Sequence, residues 1–110
     1  MNSTVFLSLE SALVEQLAPK GFVRNIVEVD GPFGSHYVDY ARGEEAFRLV
    51  ADGKESKVFV CYSTCFERPI PHQDWQDLLS VPYAARWSSE AMDLLRERIV
   101  LALAGHKGLA

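Results

Sequence analysis

The order of periodicities along this 110-residue chain predicts a single α+β domain: a four-stranded antiparallel meander with an N-terminal and a C-terminal helix packed on one face, α-β-β-β-β-α. Three observations carry that expectation. Apolar residues recur at helical spacing at both ends, the middle alternates with a period of two, and turn chemistry separates the alternating runs.

The first helix is read over residues 4–18. Phe6, Leu9, Leu13 and Leu17 form its apolar stripe with Ala12 beside them; Ser3 or Thr4 can accept from the exposed N–H groups, and Pro19 and Gly21 end it. Glu10 and Glu15 are placed off the stripe.

Residues 22–30, FVRNIVEVD, then read as a strand with Val23, Val27 and Val29 on one face, joined by DGPFGS to HYVDYAR at 36–42. A third strand is expected at 45–51, where Phe47, Leu49 and Ala51 alternate with Ala46, Arg48 and Val50. The fourth, KVFVCYS at 57–63, is apolar on both faces and suits a covered position. Pro69 and Pro71 forbid regular structure after it, and HQDWQDLLS is read as a short helical turn closed by Pro82. In the last helix Ser88 or Ser89 caps the start, Met92, Leu95, Ile99 and Leu103 make the core stripe, and Gly105 stops it; residues 105–110 are read as a frayed tail.

Fifteen acidic against eleven basic residues give a net charge of -4, and the arginines build no basic run. That charge works against a sequence-independent hold on nucleic acid, which needs cations to displace phosphate counterions. No apolar run approaches the ~18–20 residues that span a bilayer. The N-terminus lacks a basic region ahead of its apolar segment, and only two cysteines are present. A cytoplasmic protein with free thiols, no membrane partner and no nucleic-acid partner is the expectation.

Chemistry-bearing residues crowd into CYSTCFERPIPHQDW, 61–75. On a continued strand Cys61 and Cys65 stand ~13 Å apart at ~3.3 Å per residue, beyond disulfide reach. CxxxC followed by His72 and Asp74 matches no strong zinc spacing, so no metal or cofactor is assigned. A thiol-dependent enzyme using Cys65 or Cys61 with His72 as base is an alternative, although neither a nucleophile turn nor an oxyanion donor accompanies them, and no catalytic residue is assigned. Glu44 and Glu45 read as surface acids at a turn. The aromatic residues Phe66, Trp75, Tyr83 and Trp87 in the irregular segment, with Phe33 at a turn tip, are the candidate protein-binding residues, because Trp and Tyr carry much interface energy. Their competing role is to cover the open sheet face as a secondary core.

The run LAPKGF, a hairpin, FRLVADG and then VFVCYS resembles in outline small bacterial immunity-type and secretion-chaperone-like α+β proteins. That resemblance implies a protein that binds and neutralises or escorts another protein. It transfers no functional residue. The leading expectation is therefore a protein-binding domain with an unidentified protein partner. The other two are the thiol enzyme and a structural homodimer without ligand, held by the last helix around Ile99 and Leu103 or by a sheet edge.

Overall fold

The computed structural model of the chain describes residues 3–30, 35–53, 55–69, 72–82, 88–106 and 109, with the side chains of residues 3 and 26–30 set aside. Helix α1 spans Ser3–Leu17; strands β1 (Val23–Asp30), β2 (Ser35–Arg42), β3 (Glu45–Asp52), β4 (Lys57–Ser63) and β5 (Gln76–Pro82) follow; helix α2 spans Ser89–Leu103. The strands pair antiparallel in the order β1-β2-β3-β4-β5. The α+β class and the meander stand, with five strands where four were expected. The stretch 72–80 is read from sequence as a helical turn closed by Pro82, but residues 76–82 are a strand, because Val58, Phe59 and Val60 of β4 still had an unpaired edge, and Val81, Ser80 and Leu79 complete it.

Why α1 ends where it does follows from Pro19 and Gly21. The helix tightens into a 3-10 turn over Ala18–Lys20, and Gly21 adopts φ 87, a conformation that costs an L side chain steric energy. At the other end of the chain the Ser88 side chain accepts from the Ala91 N–H at 3.1 Å and starts α2.

Both helices lie on one sheet face, and the core is between them. Phe6, Leu9, Leu13 and Leu17 of α1 and Leu95, Ile99 and Leu103 of α2 meet Val38, Tyr40, Phe47, Leu49, Val58, Val60 and Val81. Phe47 is its aromatic centre, 5.3 Å from Phe22, 4.8 Å from Tyr62 and 5.3 Å from His106 between ring centroids. His106 and Leu109, placed by the sequence in a frayed tail, thus pack on the body. The thinnest dimension of the molecule is 19 Å. That leaves room for a sheet and one helix layer, given ~10 Å between packed layers.

Two expectations about individual residues are corrected. Glu10 was placed off the stripe but is buried, because it accepts from Arg24 Nε at 2.7 Å, from Arg24 Nη2 at 3.3 Å and from the Tyr40 hydroxyl. The cluster ties α1 to β1 and β2. Burial, then the Glu10 carboxylate, pushes the Tyr40 hydroxyl's pKa well up, so it stays a proton donor. Val23 was grouped with Val27, but a bulge between Arg24 and Val27 breaks the alternation. Val23 pairs with Ala41 on the face without helices and is 68% exposed, whereas Arg24 turns toward Glu10.

The homodimer expectation on Ile99 and Leu103 also needs correction. Both are fully buried in the chain's own core, so neither is available to another molecule. Phe47→Ala is expected to lower the unfolding free energy by about 3–5 kcal/mol in urea titration, since the rings around it cannot close the cavity.

Candidate functional site

The face without helices is where the unusual chemistry collects. Side chains alternate across a strand, so Tyr37 and Asp39 of β2, Ala46, Arg48 and Val50 of β3, and Phe59, Cys61 and Ser63 of β4 all point there. Register then aligns four functional groups in one row across the sheet. Asp39 pairs with Arg48, Arg48 with Cys61, and Cys61 with Asp77.

Asp77 reaches that row only through a bulge. Val60 pairs with Leu79 while Cys61 pairs with Asp77, so Leu78 is the extra residue that shifts the side chains beyond it to the other face. The Cys61 thiol then donates to Asp77 Oδ1 at 3.3 Å.

Arg48 is the hub of the row. Its Nε donates to Asp39 Oδ1 at 2.6 Å and its Nη2 to Asp39 Oδ2 at 2.9 Å, a two-pronged pair that fits a planar guanidinium to a carboxylate. The Asp39 side chain is 1% exposed and that of Arg48 26%. Above the pair, the guanidinium carbon lies 4.8 Å from the Tyr37 ring centroid and 4.2 Å from that of Trp75. Two π-faces thus complete its coordination where water is thin. Burial works to lower the Arg48 pKa, but the Asp39 hydrogen bonds and charge overcome it and raise the value.

The segment between β4 and β5 folds over this row. Phe66 N–H donates to the Glu44 carbonyl at 2.8 Å, which pins the segment to the turn between β2 and β3. Gln73 Nε2 donates to the carbonyls of Phe66 at 2.7 Å and Arg68 at 3.0 Å, and its Oε1 accepts from Trp75 Nε1 at 3.3 Å. Phe66 stands edge-on to Trp75 at 6.3 Å. Both rings are half-buried, so the segment covers the sheet and also presents part of each ring to solvent. Beside them a cleft of about 420 Å³ is lined by Tyr62, Ser63, Thr64, Asp74, Trp75 and Gln76.

Of the five aromatic residues singled out from the sequence, Phe66 and Trp75 come together; Phe33, Tyr83 and Trp87 lie outside the described residues. The two cysteines are unpaired. Cys65 sits near Thr64 Oγ1 at 3.9 Å, and His72 is exposed. Among the described residues no group of three His, Cys, Asp or Glu side chains is placed to hold a metal ion.

Cys61 has the wrong electrostatics for a nucleophile. Burial, then the Asp77 carboxylate it donates to, pushes its pKa up to about 12. A reactive thiol needs the opposite, a cation strong enough to stabilise thiolate; Arg48 acts in that direction and is outweighed.

Sequence reasoning passed over Asp39 and Arg48, which read as ordinary strand charges, and Asp77, which fell in the stretch read as a helical turn. One signal for the first two was present: a two-residue turn at Gly43 and Glu44 places Arg42 opposite Glu45, and counting outward brings Asp39 opposite Arg48. Comparison with protein-family models, with curated proteins and with solved structures finds no significant match.

Removal of one member of the buried pair strands the other. Asp39→Ala is expected to cost about 3–5 kcal/mol in denaturant unfolding, and the double replacement Asp39→Asn with Arg48→Met less than the single one, because no lone charge then remains. With a disulfide reagent at mildly alkaline pH, Cys61 is expected to stay unmodified in the native protein and to react only after denaturation. Rapid native modification of Cys61, read by peptide mapping, contradicts the geometry.

Proposed function

We propose that this chain is a protein-binding domain of the immunity or escort type, acting in the cytoplasm through the loop-covered sheet face around Trp75. The observation that supports it is the fixed, half-exposed Trp75 ring, held by Arg48 beneath, Phe66 at its edge and Gln73 at its indole nitrogen. Trp, Tyr and Arg are the residue types that dominate interface energies. Their immobilisation before contact lowers the entropy lost on binding.

Charge narrows the partner. Glu67, Asp74 and Asp77 are exposed around the rings, and the chain carries a net charge of -4. A basic surface on the partner complements them and speeds encounter. The two unpaired thiols accord with a reducing compartment. No helix among the described residues is long and apolar enough to cross a membrane.

The test is capture from the native cell with tagged wild-type protein and with Trp75→Ala, both verified as folded by circular dichroism. Wild type is expected to retain a defined partner. The variant is expected to bind it about 2 kcal/mol more weakly, roughly a thirtyfold loss. Equal retention by both proteins, or no specific partner for wild type, overturns the proposal.

A further inference from the structure

The outer side of α2 carries a second surface, distant in the fold from Trp75. Leu95, Ile99 and Leu103 point into the core, while Leu94 and Leu101 are 61% and 65% exposed. Two helical turns separate them, so at ~100° per residue they stand on one line within ~20° of each other, directly away from the core. Glu97 and Arg98 flank that line, one on each side. Neither forms an ion pair among the described residues.

The two flanks of α2 differ. On the Arg98 side a groove of about 250 Å³ is lined by Val81, Pro82, Ala91, Leu94, Leu95 and Arg98. On the Glu97 side lies α1, where Arg96 Nη2 donates to Ser11 Oγ at 3.2 Å and where Leu7 is 56% exposed. Phe6 stacks on His36 and Glu10 accepts from Tyr40, so α1 runs with β2. Helix α2 begins beside Pro82 and is followed by His106 against Tyr62, whose partner is Gln76, so α2 runs against β5. In the meander β2 and β5 have opposite directions, so the two helices run in the same sense. Leu7, four residues before Ser11, is then level with Met92 and hence with the groove.

We infer that a second copy of this chain docks here, α2 against α2, about a two-fold axis parallel to the helices. Charge selects the occupant and its orientation. In an antiparallel pair, residues on the same flank meet, which sets Glu97 against Glu97 and Arg98 against Arg98. In a parallel pair opposite flanks meet, so each Glu97 faces the other copy's Arg98, twice over. Leu94 then stacks on Leu94 and Leu101 on Leu101. The same operation carries α1 of one copy over the groove of the other, so that Leu7 covers Val81 and Pro82 across the interface. Three of the four large apolar side chains exposed among the described residues are covered by one contact.

Sedimentation equilibrium of the full chain tests this, with circular dichroism confirming that each surface variant is folded. Wild type is expected to dimerise, and Leu101→Asp to raise the dissociation constant at least about tenfold. Glu97→Arg and Arg98→Glu alone each weaken the dimer by setting like charges together, whereas the double reversal restores it. Under mild oxidation Leu94→Cys is expected to crosslink to itself, as is Leu101→Cys, against a wild-type control for Cys61 and Cys65. Wild type that stays monomeric, a dimer indifferent to Leu101→Asp, no rescue by the double reversal, or crosslinks only between Leu94→Cys and Leu101→Cys chains overturns the inference.

Discussion

The Arg48 guanidinium, held by Asp39 and enclosed between Tyr37 and Trp75, is the contact on which the open sheet face depends. Both helices are committed to the other face, so this one must be closed by some other means. A bare apolar face would invite aggregation, and a fully polar one would leave β4, apolar on both sides, poorly covered. The pair resolves the conflict by neutralising two charges against each other and offering a flat cation for aromatic rings to lie on. Loop residues that have no helix to organise them gain an anchor, and Trp75 is oriented by it.

The same device recurs on the helix side in another form. Glu10 of α1 is buried against Arg24 and Tyr40, and it fastens the first helix to the edge half of the sheet. Near the far end of that face, Glu45 accepts from Tyr62 at 2.9 Å and from Arg42 at 3.1 Å. The Tyr62 hydrogen bond, aided by Arg42 and opposed by burial, lowers the Glu45 pKa, while burial and Glu45 push Tyr62 up to about 12. In each case an acid from one element is satisfied by donors from another. Such contacts add little net energy when complete, yet they penalise misaligned registers because a partial network strands a charge. Register specificity matters in a meander, where a one-residue slip would turn Arg48 into the core.

Much of this architecture was legible in the residues. Phe6, Leu9, Leu13 and Leu17 state their helix by spacing alone, and β3 and β4 are read correctly because alternation and turn signals agree. The fifth strand was not legible, since QDLLSVP lacks alternation; its bulge at Leu78 removes the period that identifies a half-buried strand. Glu10 was misplaced for a related reason. A carboxylate beside an apolar stripe looks solvated until Arg24 arrives from a strand fourteen residues on.

CYSTCFERPIPHQDW shows how the two sources of information divide. From sequence alone it separates into the end of a strand and a proline-stiffened exit, with cysteines spaced too far for a disulfide, because chain geometry is local. Only the tertiary structure decided that Cys61 faces the Asp77 carboxylate instead of an imidazole, that Phe66 meets Trp75, and that Trp75 rests on Arg48. Those outcomes depend on which strands are neighbours and on the bulge between β4 and β5 that shifts the register. Pairing between segments is a property of the whole sheet, and no window of residues contains it.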